Sequence, residues 1–320
     1  MKQLSDIKGG IRMKKFGTML VSAMLLFSLT ACNSSKTSSE GGGSDKGKIT
    51  VGGKDFTEQQ VLSKITSIYL KENGYDVEEA SNMGSTVVRS ALENGQIDTY
   101  WEYTGTGLVV YQKQKVETDS DKAYEKVKAN DEKKGIEWLN KANFNNTYAI
   151  LMKQDTADKL GIKTISDLAD LVKSNPKKLK FASNAEFYAR EDGVKGLQKK
   201  YDFKFPAKNV VKMDSGLLYN ALKDGQVDVS VGFATDGRIK GFKLISLEDD
   251  QQFFPAYNGV PVVSEKVAKK YPEVPKLLNK LAGLLDNETM MALNYSVDVE
   301  HKDVTEVSRD WLDKEGLTKK

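Results

Sequence analysis

The periods of apolar and polar positions along this chain mark its elements. Ile49 to Gly53 reads as a strand ending in glycines, and Thr57 to Gly74 as an amphipathic helix. Thr57 and Gln60 stand at capping-box spacing, and Gly74 is a stop. Val77 to Ala80 is a second strand. Ile97 to Trp101 is a third, after a helix that starts at a serine. Ser120 to Trp138 reads as one charged helix, and Thr147 to Met152 as a short apolar strand. A helix begins near Ser166 and a strand runs from Leu179 to Ser183. A helix covers Ala185 to Tyr201, followed by strands at Val210 to Lys212 and Val227 to Phe233. Phe254 to Val263 is extended. Helices then fill Glu265–Lys270, Val274–Leu285, Thr289–Val297 and Val304–Glu315. Strands alternating with helices predict an α/β fold with mostly parallel sheets.

One segment occurs twice. Met83-Gly84-Ser85 followed by Ala91-Leu92-Glu93-Asn94-Gly95-Gln96-Ile97-Asp98 recurs 130 positions later. There it reads Met213-Asp214-Ser215 followed by Ala221-Leu222-Lys223-Asp224-Gly225-Gln226-Val227-Asp228. Each copy is a helix, a glycine stop and a strand, so two lobes of like design are expected. The same offset pairs Tyr103 with Phe233, an aromatic at the end of each strand. Lobe I is expected over 48–147 plus 255–320 and lobe II over 148–254, with chain crossings near Tyr148 and Tyr257. Ligands of open α/β sheets sit beyond the carboxyl ends of the strands, here the cleft between lobes. Hinge closure is the expected motion.

The N-terminus changes this picture by giving an address. Met13-Lys14-Lys15 is a basic start, and Met19 to Leu29 is an apolar run too short to span a bilayer. Leu29-Thr30-Ala31-Cys32 resembles a bacterial lipobox, which makes Cys32 the expected lipidated residue and 1–31 a signal peptide. Met13 is an alternative start. Residues 32–47 are rich in Ser, Gly and Lys and read as a flexible tether. The protein is therefore expected at the cell membrane, lipid-anchored, on the extracytoplasmic face. No later apolar run approaches spanning length, so the chain is not itself a permease. It has no Gly-rich Lys-Ser/Thr phosphate loop, so it is not an ATPase.

Charge and rare residues narrow the chemistry. The net charge of +3 belongs to the leader: without residues 1–31 there are 43 basic and 44 acidic residues. No basic field remains for a nucleic acid. With one Cys and one His, disulfides, Cys–His zinc sites and Cys–His nucleophile pairs within one chain are excluded. His301 lies in a charged stretch, a solvated position, and no cofactor is implied. Asp98 and Glu102 are carboxylates without a partner base, so an enzyme of this two-lobed build is disfavoured.

Three segments together carry a family resemblance: Gly53-Lys54-Asp55-Phe56-Thr57-Glu58-Gln59, Tyr100-Trp101-Glu102-Tyr103-Thr104-Gly105-Thr106 and Phe233-Ala234-Thr235-Asp236-Gly237-Arg238-Ile239. They resemble the substrate-binding lipoproteins of osmoprotectant ABC importers, over about residue 48 to the C-terminus. The resemblance implies a two-lobed periplasmic-binding-protein-like (type II) fold. It implies a quaternary ammonium ligand such as glycine betaine, carnitine or choline, and permease and ATPase subunits as partners. It places an aromatic cage at Tyr103, Tyr148, Phe233 and Tyr257, with Phe233 where the family usually has Tyr. It assigns the carboxylate of a betaine to Lys54, Thr106 and Arg190, and Lys54 tilts the expectation toward zwitterions. Gln59 and Asn258 flank the cage. The alternative is a binding protein for an amino acid or other small organic anion, using Arg190 and Lys54 and leaving the aromatics as core. Trp101, Trp138 and Trp311 read as core.

Overall fold

The computed structural model describes residues 46–319. Cys32, the leader and nearly all of the expected tether lie outside the described residues. Among the described residues ten strands form two five-stranded sheets. In the first sheet are β1 (Lys48–Lys54), β2 (Asp76–Met83), β3 (Thr99–Tyr103), β4 (Ile136–Trp138) and β10 (Gly259–Ser264). In the second are β5 (Tyr148–Lys153), β6 (Phe181–Ser183), β7 (Val210–Lys212), β8 (Val229–Phe233) and β9 (Leu244–Ser246).

The orders are β2-β1-β3-β10-β4 and β7-β6-β8-β5-β9. Both sheets are mixed. β10 runs antiparallel to β3 and β4, and β5 runs antiparallel to β8 and β9. The chain thus leaves the first sheet after β4, builds the second from β5 to β9, and returns as β10. The repeat reaches this level: β3 and β8 occupy corresponding places. Helices Ser85–Glu93 and Ser215–Lys223 precede them, and Gly95 and Gly225 turn the chain at φ +70° and +72°. Asp98 accepts from the Thr50 amide at 2.7 Å, and Asp228 from the Lys180 amide at 2.8 Å. Each aspartate ties its strand to a neighbour, so Asp98 has a structural task.

Helix Thr57–Glu72 buries Val61, Leu62, Ile65, Ile68 and Tyr69 on one face, the spacing of an amphipathic helix. The expected capping box does not form. Phe56 occupies the cap position, the Thr57 hydroxyl donates to Asp298 at 2.7 Å, and Gln60 donates to Asn82. Thr57 is already helical, so its hydroxyl is one position too late to cap. The helix expected through Trp138 stops at Glu132. Gly135, at φ +71°, reverses the chain, and Ile136 and Trp138 then bury one face of edge strand β4. The helix expected over 185–201 is two, Ala185–Ala189 and Val194–Lys200, with Arg190 extended between them. Among the described residues no helix is long and apolar enough to cross a membrane.

Trp101 and Glu102 show how one strand serves two faces. Trp101 donates its indole N–H to Thr66 at 2.9 Å within the core. Tyr100 and Glu102 share the opposite face, where the Tyr100 hydroxyl donates to Glu102 at 3.0 Å.

Candidate functional site

Strand ends build the site. β8 ends at Phe233, which pairs across the ladder with Tyr148, the first residue of β5. β3 ends at Tyr103, which pairs with Gly259, the first residue of β10, two residues beyond Tyr257. The antiparallel strand of each sheet therefore begins where its neighbour ends. Tyr103, Tyr148, Phe233 and Tyr257 all line one cavity of about 730 Å³.

The aromatic side chains form a continuous row. Tyr148 meets Tyr257 edge-on at 89°, with centroids 5.5 Å apart, and lies 5.0 Å from Phe233. Phe233 stacks on Phe56 at 5.2 Å, and Phe56 lies 6.2 Å from Tyr103. Phe56 thus joins a ring from the first sheet to a ring from the second. Sequence reasoning did not single it out, although it stands inside the Gly53–Gln59 motif. A lone Phe at a helix entrance gives no signal of what lies across the cavity.

Hydroxyl groups fix the rings. Tyr103 donates to Glu58 at 2.7 Å and accepts from Gln59 at 3.0 Å. Tyr257 donates to Asp192 at 2.5 Å and accepts from Arg190. Burial is the main cause that pushes the phenols of Tyr103, Tyr148 and Tyr257 well above their ordinary value. These rings therefore present neutral faces, with their negative quadrupole available to a cation.

The basic residues are placed differently from what a free anion clamp requires. Arg190 makes its bidentate pair with Asp192, at 2.8 and 2.6 Å, and reaches Thr106 at 3.3 Å. Its guanidinium lies 5.6 and 5.5 Å from the ring centroids of Tyr148 and Tyr257. It stands behind the wall and borders an adjoining pocket instead of the main cavity. Lys54 and Thr106 do line the cavity, and Lys54 is paired with the buried Glu102 at 2.5 Å. Asp55, Glu186 and Asp214 also line it. Burial first, and then the carboxylates of Glu186 and Asp214, push the Asp55 carboxyl above its ordinary range. The wall is acidic, which favours a cationic guest.

The flanking residues divide. Gln59 supports the Tyr103 hydroxyl, whereas Asn258 is spent on Ser120 and on the Phe144 carbonyl. His301 does not line the cavity. Among the described residues no cluster of His, Cys, Asp or Glu could hold a metal ion.

A family model described as the substrate binding domain of an ABC-type glycine betaine transport system matches residues 47–314. The chain belongs to this OpuAC family. It is accordingly a binding protein of an ABC import system and not an enzyme. A glycine-betaine-binding protein of Pseudomonas aeruginosa is 41% identical over 269 residues, 82% of this chain and 86% of the relative. The carnitine transport binding protein OpuCC of Listeria monocytogenes is 36% identical over 310 residues, 94% of this chain and 97% of the relative. A crystal structure of a glycine betaine/carnitine/choline ABC transporter protein is 30% identical, with a TM-score of 0.69. That match covers 84% of this chain and 99% of the solved one. The two mixed sheets are those of the type II periplasmic-binding-protein fold.

Proposed function

We propose that this OpuAC protein captures small quaternary ammonium compounds in the aromatic cavity and delivers them to the permease and ATPase subunits of an importer. The observation that carries the reading is the row Tyr103–Phe56–Phe233–Tyr148–Tyr257 along one cavity wall with acidic side chains. A trimethylammonium head cannot donate a strong hydrogen bond. Aromatic faces attract it at little desolvation cost, about 0.5–2 kcal/mol per contact. Four such rings supply about 2–8 kcal/mol, the upper end of which matches the ~8 kcal/mol of micromolar binding. Tyr103, Tyr148, Phe233 and Tyr257 form the cage. Lys54 and Thr106 receive the far end of a betaine, and Arg190 holds Thr106 and Tyr257 from behind.

Residues 48–147 plus 255–320 act as one lobe and 148–254 as the other, closing on the ligand. The lipobox-like Leu29–Cys32 supports attachment through Cys32, with the tether holding the fold outside the membrane. The alternative, an amino-acid or organic-anion ligand, requires Arg190 and Lys54 as free cations. Arg190 is spent on Asp192 and does not line the main cavity, which leaves that reading without its bidentate clamp.

Titration calorimetry with glycine betaine, carnitine and choline, and glycine as the unmethylated control, tests the reading. Heat from the methylated ligands with glycine silent supports the cage; no heat from any of them sends the site to the amino-acid reading. Membrane fractionation of cells carrying Cys32→Ser tests the anchor, and a variant retained like the wild type would remove it.

A further inference from the structure

Buried carboxylates in this protein come with a base. Glu102 pairs with Lys54, Asp131 with Arg89, Asp192 with Arg190 and Asp236 with Arg238. Glu58 is the exception among the buried acids described: only 2% exposed, it has no Lys or Arg in reach. A buried carboxylate without a counter-ion is costly unless neutral donors saturate it. Here they do. One oxygen accepts from the Tyr103 hydroxyl at 2.7 Å and the Asn146 amide group at 2.8 Å. The other accepts from the Thr235 hydroxyl and from Asn294 at 3.3 Å.

These donors come from four separate parts of the chain. Tyr103 ends β3 of the first sheet. Thr235 stands two residues past Phe233, the end of β8 in the second. Asn146 lies on the segment that leads from the first sheet into β5, and Asn294 is on helix Asn287–Asp298. Asn146 also accepts from the Thr235 amide at 3.3 Å, and Asn294 donates to the Thr235 carbonyl at 3.0 Å. The Phe233–Thr235 segment is thereby docked on Glu58 and its partners. Two cage rings, one from each copy of the repeat, are held in register by one side chain that is not itself aromatic.

We propose that Glu58 is the positioning residue that assembles the cage, its two oxygens latching Tyr103 of the first sheet to the Phe233–Thr235 segment of the second. This rests on the reading of the cavity as the ligand site. The carboxylate has its full donor set only when the two ring-bearing strand ends are together. Opening of the lobes withdraws the Thr235 hydroxyl, so the latch shifts the ligand-free balance toward closure, and a ligand in the cavity completes the shift.

The test uses the full chain and the variants Glu58→Gln, Thr235→Val and both together. Choline and glycine betaine are the calorimetric probes. Small-angle scattering of the ligand-free proteins and their melting temperatures are recorded alongside. Glu58→Gln is expected to weaken binding tenfold or more and Thr235→Val three- to tenfold. The double variant should be no weaker than Glu58→Gln alone, because both changes cut one link. Both single variants should scatter as a more open ligand-free protein. Asp131→Asn, which breaks a buried pair away from the cavity, should lower the melting temperature and leave affinity within twofold.

Glu58→Gln binding within twofold of wild type, or losses that multiply in the double variant, would overturn the latch. Equal affinity loss in Asp131→Asn at equal loss of melting temperature would overturn it too. If Glu58→Gln does not fold, Thr235→Val alone decides. If the wild type binds neither probe, the ligand reading fails, and the scattering comparison still judges the latch: unchanged profiles sink it.

Discussion

Phe56 and Tyr103 carry different parts of the same wall. Tyr103 is held by two hydrogen bonds to its hydroxyl, whereas Phe56 is held by stacking on Phe233. Tyr103→Phe therefore keeps the ring but frees its orientation. Calorimetry should show a loss of about threefold to tenfold, the scale of one hydrogen bond of 0.5–1.5 kcal/mol. Tyr103→Ala removes a face and should cost at least tenfold more than that. An alanine variant that binds its ligand normally would return the site to the organic-anion reading. Glu58 adds a pH dependence. Burial, the largest influence, holds its carboxyl above the ordinary 4.5, against the hydrogen bonds from Thr235, Tyr103, Asn294 and Asn146. The folded state thus keeps a proton that the unfolded chain has released. The resulting stability is fully present below 4.5 and is lost as pH rises through the raised folded value. Melting curves should show wild type losing stability relative to Glu58→Gln across that window. A difference independent of pH would contradict the assignment.

At the scale of elements, the repeated helix–glycine–strand unit explains why the site lies where it does. Both copies end their strand with an aromatic, and in each sheet an antiparallel strand starts alongside that end. The turn after β3 must then pass close under Tyr257. A Cβ added at Gly105 would lie 2.9 Å from the Tyr257 ring and 3.0 Å from the Ala256 carbonyl. Tyr257 cannot swing away freely, since Asp192 and Arg190 hold its hydroxyl. Gly105→Ala should weaken binding by about tenfold, roughly 1.4 kcal/mol, through a displaced ring. Its circular dichroism should remain that of the folded protein, and unchanged affinity would show that the ring is free to move. By contrast Gly225→Ala has open space around it but a φ of +72°. It should cost stability of about 1–2 kcal/mol without touching affinity, measured by denaturant unfolding.

At the scale of the whole molecule, the two crossings between sheets are where the proposed closure would hinge. The chain passes from β4 to β5 and from β9 to β10, and Asn146 and Tyr257 stand on those passages and at the cavity. The proposed closure would therefore move two lobes that share their hinge with the site. Small-angle scattering should report a smaller radius of gyration when a bound quaternary ammonium compound is added, and Phe56→Ala should reduce that compaction. An unchanged radius on saturation would refute closure as the capture step.

Much of this was legible in the residues. The repeat announced two like halves, the strand–helix alternation gave the α/β class, and the motifs pointed to an OpuAC-type binder, because local periodicity and glycine stops are short-range facts. Some local readings failed for equally local reasons. Gly135 cuts the 120–138 helix because a left-handed residue ends it, and Arg190 breaks the 185–201 helix where Asp192 captures its guanidinium. What no sequence pattern contained is which side chains meet. Phe56 faces Phe233, and Glu58 gathers Tyr103 and Thr235 across separations of 45 and 177 positions. Lys54 and Arg190, expected to meet a ligand carboxylate, are paired with buried carboxylates of the chain itself. Element formation depends on neighbours in sequence and was determined there. Pairing depends on charge and burial among distant residues, and only the tertiary structure decided it.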